Sequence, residues 1–311
     1  MMKSVLVGLD GSSRSERSLP WVRQMLPGAK VTLARFLEFI DPRMVGARFV
    51  ADLQDAARMK LDALAGTFTP KASTLVKQGN AAFGLLSAAR DSGADLIALT
   101  THGGSSLARR FFGRTTEKLL HTADVPLLVV PAWDESPPPD RLRTIAVLLD
   151  GSEASEKILP LVRSVALEHR AHVHLIHGLT TLDLAEKAFA EMEGHARRSP
   201  VIEMLEKNLE EARRETEAKF ESLAAALKKD GVRASFACVS GNVPEILVTT
   251  AENASADLVI MAGHGYGAVK RAILGSVASR FIREASMPVL VARYDALQRL
   301  PAPVQAAGRR T

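Results

Sequence analysis

Apolar residues in this chain occur mainly in short continuous runs, separated by longer stretches in which they recur at helical spacing. A strand covered by helices on both faces needs near-continuous apolar content. Alternation of such strands with helices predicts right-handed βαβ units and a parallel sheet. The two groups of five runs therefore predict two doubly wound, five-stranded α/β domains. The runs are residues 4–9, 31–37, 74–77, 96–100 and 127–130, and then 145–149, 173–177, 234–239, 258–262 and 289–292.

The two groups of runs belong to an internal repeat. Asp10-Gly11-Ser12 recurs as Asp150-Gly151-Ser152, displaced by 140 positions, whereas His102-Gly103 and His264-Gly265 are displaced by 162. The second copy therefore carries about 22 additional residues, nearly all between its second and third strands. The chain is predicted to be two tandem copies of one Rossmann-like domain.

Domain boundaries follow from the repeat and from the proline content. The first domain covers residues 1–131 and the second 142–294, with a proline-rich linker at 132–141 and a C-terminal tail at 295–311. Three consecutive prolines exclude a helix interior or a central strand from the linker. The additional residues of the second copy predict an enlarged helical insertion at about 179–230.

The insertion carries its own helix signals. Ser199-Pro200 predicts a helix start and Asp230-Gly231 its end, and a shorter helix is expected to precede it around 182–197. Pairs of opposite charge four residues apart, such as Glu215 and Lys219, predict a solvated face. The segment 179–198 leaves the second strand at its carboxyl end, so we expect it to cover part of any ligand pocket there.

Composition narrows the class of protein. Hydrophobic content of 47% and charged content of 24% indicate a globular chain, and no apolar run is long enough to cross a membrane. The start has no signal-peptide pattern, and the single cysteine, Cys238, fits a reducing compartment, so a cytoplasmic location without a membrane partner is expected. The net charge of +5 and the 5% aromatic content do not favour nucleic-acid binding.

Glycines and hydroxyl groups recur where the fourth strand of each copy ends. In the second copy, nine residues separate Ala262-Gly263-His264-Gly265 from Gly275-Ser276, and the first copy keeps this spacing from Thr100 through Gly103 to Gly113-Arg114. Ligands of open parallel sheets lie beyond the carboxyl ends of the strands. Glycine amides can approach an anion closely, and a helix start adds the positive end of its dipole. The pattern predicts a phosphate-binding cradle.

This pattern resembles that of the universal stress protein family, which has G-x-x-G, nine residues and G-[S/T] after a first strand ending in Asp. The resemblance covers residues 1–131 and 142–294. It implies a regulatory protein that binds ATP, alone or with Mg²⁺, with no catalytic residues and at most slow ATP hydrolysis. In the second domain it implies binding by Leu148, Leu149, Asp150, Gly178, Ala262, His264, Gly265, Gly275, Ser276 and Val277. In the first domain it implies weaker binding by Asp10, Phe36, Thr100, Gly103, Gly113 and Arg114.

Both copies depart from the family motif. Ala262 takes the first glycine position of the second copy, and its amide remains usable if its φ is negative. In the first copy, Thr100 takes that position and Arg114 replaces the hydroxyl residue. A guanidinium can hold a phosphate, but the matched hydroxyl donor is missing. The second domain is therefore predicted to hold the better nucleotide site.

The family also implies how the halves associate. Its members typically dimerise through the last strand, and an unpaired apolar edge is a liability that proteins cover. Residues 127–130 and 289–292 are therefore predicted to pair as an intramolecular pseudo-dimer, with a homodimer of two chains as a further level of assembly.

Several alternatives stay open. The chain could be a ligand-free dimeric scaffold of the same fold. Asp10 and Asp150 also suit a structural turn, and Ser13 with Glu16 matches a capping box. His102 and His264 are more simply explained as loop hydrogen-bonding residues than as catalysts.

Two other kinds of site are disfavoured. His172 and His174 share a strand face without a carboxylate, which argues against a metal site. Residues 263–268 fit a dinucleotide fingerprint, but they follow the fourth strand of their unit and lack an acidic residue about 20 positions on, so we reject NAD binding.

Overall fold

The computed structural model describes residues 2–101, 113–133, 136–179, 200–263 and 274–293. Each copy contributes five strands, as the apolar runs predict. In the first copy these are β1 (Ser4–Gly8), β2 (Lys30–Leu37), β3 (Ser73–Gln78), β4 (Leu96–Thr100) and β5 (Leu127–Val130). In the second copy they are β6 (Thr144–Leu148), β7 (His172–Leu179), β8 (Arg233–Ser240), β9 (Leu258–Ala262) and β10 (Val289–Ala292).

Helices connect the strands and cover both faces of the sheet. The first copy has α1 (Ser18–Met25), α2 (Pro42–Val45), α3 (Ala47–Ala65), α4 (Ala81–Ser92) and α5 (Arg114–Thr122). The second copy has α6 (Glu153–Glu156), α7 (Leu159–His169), α8 (Pro200–Lys229), α9 (Val243–Asn253) and α10 (Ser276–Glu284). None of the helices in the described ranges is both long and apolar enough to span a membrane.

The ten strands form one sheet in the order β3-β2-β1-β4-β5-β10-β9-β6-β7-β8. Pairing is parallel within each copy, and the order 3-2-1-4-5 of the first copy recurs in the second. The copies meet where β5 and β10 pair antiparallel, with Leu128 opposite Leu290. The predicted pairing of the last strands is confirmed, and it turns two five-stranded sheets into one.

Two hydrophobic clusters, one on each face of the sheet, run through both copies. Leu128 and Leu290 belong to one cluster, and Val129 and Val289 to the other. Because successive side chains of a strand point to opposite faces, β5 and β10 contribute to both clusters. The junction between the copies is therefore part of the core.

The insertion of the second copy forms α8. The helix begins at Pro200 and ends just before Asp230 and Gly231, where Gly231 has a φ of +84°, so both predicted ends are confirmed. The displacement between the copies is 142 in β2 and β7 and 162 in β3 and β8, which places most of the additional residues between these strands. The shorter helix predicted around 182–197 lies outside the described residues, as does all but Leu179 of the segment 179–198 that is expected to cover the pocket.

Candidate functional site

The turn after the first strand of each copy is organised by its aspartate. Asp10 Oδ1 accepts hydrogen bonds from the Ser12 amide at 2.8 Å and the Ser12 hydroxyl at 2.6 Å. Asp150 does the same with Ser152, at 2.9 and 2.6 Å. Burial works against ionisation, but these hydrogen bonds outweigh it and hold the pKa of Asp10 below its usual value. Both carboxylates therefore have a structural role, whatever else they bind.

The helix that follows is capped one residue earlier than predicted. The Ser12 hydroxyl accepts from the Ser15 amide at 3.2 Å, whereas Arg14, and not Ser13, directly precedes the helical turn Ser15–Arg17, so the predicted Ser13–Glu16 capping box is wrong. Glu16 instead forms an ion pair with Lys60 at 2.8 Å. The Asp-Gly-Ser turn draws Ser12 back toward Asp10, which leaves it in the capping position.

A lysine from the long helix braces this turn in each copy, a feature that the sequence analysis missed. Lys60 donates to the Gly11 carbonyl at 2.6 Å, and Lys219 donates to the Gly151 carbonyl at 2.8 Å. Lys219 also pairs with Glu156 at 2.7 Å, as Lys60 does with Glu16, instead of with Glu215 on its own helix. The two lysines are 159 positions apart, which matches neither displacement of the repeat.

The first copy has a cavity of about 210 Å³ at the carboxyl ends of its strands. This cavity is lined by every first-domain residue that the family resemblance implied, except Gly103. Gly103 lies outside the described residues. These residues come from the ends of β1, β2 and β4 and from the start of α5: Asp10, Phe36, Thr100, Gly113 and Arg114.

The floor of this cavity differs between the copies. In the first copy it includes Gly8 and Ala34, and a Cβ on Gly8 would lie 2.9 Å from Leu85 Cδ1. The strand register places Leu148 and Ile176 at the equivalent positions of the second copy, where they are 7% and 0% exposed. The second copy thus has larger, buried side chains at the two positions that form the floor of the first-copy cavity.

The wall beside the floor shows an exchange of large and small residues. Phe36 of β2 lies against Gly84 of α4, where a Cβ would come within 2.1 Å of the ring. In the second copy Gly178 takes the place of Phe36, and a Cβ there would lie 2.7 Å from Val243 Cγ1. Each glycine is therefore explained by the larger side chain facing it. Packing against Val243 is thus sufficient to explain a glycine at position 178, and the contact of Gly178 with a ligand, which the resemblance implies, stays a prediction.

The remaining second-copy residues lie at the same edge of the sheet. Leu148 and Leu149 enter opposite hydrophobic clusters, so their side chains do not line one surface. Ala262 is the last residue of β9. Among the described residues, the non-glycine residues with positive φ are Arg170 and Ser255 only. The φ of Ala262 is therefore negative, as is required for its amide to remain usable. Val277 packs against the core in the first turn of α10. His264 and Gly265 lie outside the described residues, together with His102.

The two helix starts at the predicted phosphate end share one geometry. Gly113 precedes α5 with φ −62° and Gly275 precedes α10 with φ −60°, and neither helix has a side-chain cap. A Cβ on Gly275 would meet no described atom within 4 Å, and its φ is one that any residue adopts. The described part of the fold does not itself require glycine there, whereas close approach of a ligand would. Ser276 and Arg114 are the first residues of the two helices.

The first copy holds the segment that leads into the second helix start. The Leu274 amide donates to His121 Nδ1 at 3.3 Å. Arg293, just after β10, donates to the carbonyls of His121 at 2.9 Å and Ala123 at 3.3 Å. The end of α5 thus contacts the chain next to Gly275, so residues of the first copy help to position the predicted phosphate end of the second.

The strand histidines form a small polar cluster. His172 Nε2 and His174 Nδ1 lie 2.7 and 2.8 Å from the same Ser235 hydroxyl. Burial lowers the pKa of both histidines. Within the described ranges, no three side chains of the His, Cys, Asp or Glu type are arranged to hold a metal ion.

Comparison with known proteins identifies the repeat. The family model described as "Universal stress protein family" matches residues 1–131 and again 141–293. A Mycolicibacterium smegmatis protein named universal stress protein is 25% identical over 305 residues, which cover 93% of this chain and 96% of that protein. A Thermus aquaticus universal stress protein is 28% identical over 137 residues, 42% of this chain and 99% of its own length.

A solved structure shares the whole architecture. The crystal structure of a universal stress protein from Archaeoglobus fulgidus matches with a TM-score of 0.69 over 94% of this chain and 99% of that chain, at 17% identity. At this identity the likeness shows the fold alone, and it extends across both copies.

Proposed function

Because the chain belongs to the universal stress protein family, we propose that it is a regulatory protein that binds adenine nucleotides, with the better ATP site in the second domain. The observation that carries this proposal is the first-copy cavity, which is lined by five residues that the family resemblance implies. A concave site at the carboxyl ends of parallel strands, with helix starts facing it, suits a nucleotide.

The preference for the second domain rests on the phosphate end of the site. Ser276 offers a hydroxyl in the first turn of α10, next to a glycine that the described fold does not require. Arg114 offers charge at the equivalent place, but its long side chain must first be ordered. The first copy departs from the family motif at both the first glycine and the final hydroxyl residue. The second copy departs only at the first glycine and keeps the hydroxyl. Mg²⁺ would accompany the phosphates, bound chiefly by their own oxygens.

We do not assign a catalytic activity. Hydrolysis of ATP needs a positioned base or water-orienting residue and a metal held at the β- and γ-phosphates. Asp10 and Asp150 already bind their own turns. Binding and release of nucleotide, with hydrolysis slow at most, is the activity proposed.

One observation favours a second candidate function. Leu148 and Ile176 place larger buried side chains where the first copy has Gly8 and Ala34 at the floor of its cavity, and a bound base would need room there. A ligand-free scaffold would need no such room. The alternative is therefore an interaction module of the same fold that binds no nucleotide, and assembly of two chains into a homodimer stays a prediction under both functions.

Calorimetry with ATP tests the proposal. Ser276→Ala is expected to weaken ATP binding about ten-fold or more, because hydrogen bonds to charged groups contribute about 1.5–3 kcal/mol. Arg114→Ala should weaken it far less. Ser286→Ala is the matched control, because this serine lies beyond the other end of the same helix and donates to Glu252.

The outcomes separate the two functions. Nucleotide retained through purification and lost in Ser276→Ala supports the ATP site in the second domain. Unchanged affinity in Ser276→Ala with binding lost in Arg114→Ala would move the ATP site to the first copy. No binding of ATP by the unmodified chain would leave the scaffold function.

A further inference from the structure

A second cavity of about 390 Å³ adjoins the first-copy cavity. The two share Phe36, Ala81, Arg114 and Thr115, so these four residues form the boundary between the first-copy cavity and the second one. We call them the inner cavity and the outer cavity. The inner cavity is largely apolar at its floor, and the outer cavity is bordered by the start of α4 and the exposed face of α5.

Two cations of α5 line the outer cavity. Arg114 and Lys118 are four residues apart, so their side chains lie on one face of the helix. The Lys118 ammonium lies 3.6 Å from the centroid of the Phe83 ring, a contact that holds its position without neutralising its charge. Neither cation forms an ion pair with any residue in the described ranges.

The second copy neutralises the equivalent charge. Arg280 stands where the first copy has Lys118, and it pairs with Glu245 at 2.6 Å and Glu284 at 2.8 Å. The repeat displacement of 162 places Glu245 at the position of Phe83. The same helix face thus carries an ion network in one copy, and in the other two cations that have no ion-pair partner within the described ranges and lie beside a cavity.

We propose that the outer cavity of the first copy is a phosphate subsite, in which Arg114 and Lys118 hold the single phosphate of a nucleoside monophosphate whose base lies in the inner cavity. This inference rests on the proposed binding of adenine nucleotides. It assigns the first copy a ligand of its own, distinct from the ATP of the second.

The charge of the subsite selects the size of the anion. Arg114 and Lys118 supply two positive charges, and Glu38, which also lines the outer cavity, supplies one negative charge. The net positive charge suits one phosphate group, whereas a triphosphate would bring more negative charge into a subsite that already includes Glu38. The aromatic wall of Phe36 offers a stacking surface for the base between the two cavities.

Calorimetry of the full chain with AMP, adenosine and ATP tests the subsite. Arg114→Gln and Lys118→Gln are each expected to weaken AMP binding about ten-fold or more, because each removes a charge-assisted hydrogen bond to phosphate. Adenosine has no phosphate, so its affinity should stay the same in both variants. Arg280→Gln is the matched control, since it removes the equivalent cation of the second copy, and it should leave AMP binding unchanged.

Three results would overturn the subsite. The first is that neither Arg114→Gln nor Lys118→Gln changes the affinity for AMP. The second is that Arg280→Gln lowers the affinity for AMP as much as they do. The third is that the first-copy variants lower the affinity for adenosine as much as that for AMP, which would show that they only disturb packing. AMP binding that depends on Arg114 while ATP binding ignores Ser276 would support the subsite and contradict the ATP site of the second domain. AMP binding that does not depend on Arg114, together with ATP binding that depends on Ser276, would contradict the subsite alone.

Discussion

Leu290 tests whether the two copies share one sheet in solution. Its side chain is 0% exposed, lies opposite Leu128 across the β5–β10 pair and belongs to the same core cluster. Leu290→Ala removes three buried carbon atoms from a site closed on every side. Substitutions of this kind cost about 2.7–5 kcal/mol of unfolding free energy, depending on how far the cavity collapses. We expect about 3 kcal/mol.

The pairing also predicts non-additivity. Leu128→Ala enlarges the same space, so the double variant should cost less than the two single variants combined, by about 0.5 kcal/mol or more. Leu167→Ala is the control, because Leu167 is 41% exposed and its truncation should cost less than about 1 kcal/mol.

Urea unfolding followed by circular dichroism measures all four variants, with the slope of the transition checked for constancy. A cost for Leu290→Ala as small as that of Leu167→Ala would refute the packed junction. Strict additivity of Leu128→Ala and Leu290→Ala would show that the two side chains do not share a cavity.

Two further predictions concern pH. Burial lowers the pKa of His172 and His174, so their contribution to stability is complete above the unfolded value near 6.5 and is lost as the pH falls through the folded value. The unfolding free energy of His174→Gln should therefore fall less between pH 7 and pH 5 than that of the unmodified chain, and an equal fall would contradict the argument. Hydrogen bonds outweigh burial and lower the pKa of Asp10, so its contribution is present above about pH 4 and is lost in more acid solution. The melting temperature of Asp10→Asn should therefore depend less on pH between 4 and 2 than that of the unmodified chain. An equal decline in both proteins would contradict this role of Asp10.

The sequence alone was sufficient for the architecture because the signals involved are local or repeated. Apolar runs predicted all ten strands, and Ser199-Pro200 with Asp230-Gly231 predicted both ends of α8. The pairing of β5 with β10 followed from an apolar edge that needs a partner. The family resemblance also selected five of the residues that line the first-copy cavity.

Only the tertiary structure decided which residues pair through ion pairs and side-chain hydrogen bonds. Lys219 has Glu215 four residues away on its own helix, yet it pairs with Glu156 and the Gly151 carbonyl, because the fold brings the turn within reach of α8. Likewise, the capping serine is Ser12 because the Asp10 carboxylate draws the turn back.

The difference between the two sites is likewise tertiary. Gly8 and Leu148 occupy equivalent strand positions, but only the tertiary structure shows that Gly8 lines a cavity and that Leu148 is buried. Lys118 and Arg280 are both cations at one helical position, and the residue opposite, an aromatic ring or a carboxylate, decides whether the charge remains uncompensated. Periodicity and turn chemistry act over a few residues, whereas volume and charge compensation depend on side chains that are distant in the chain and meet only when it folds.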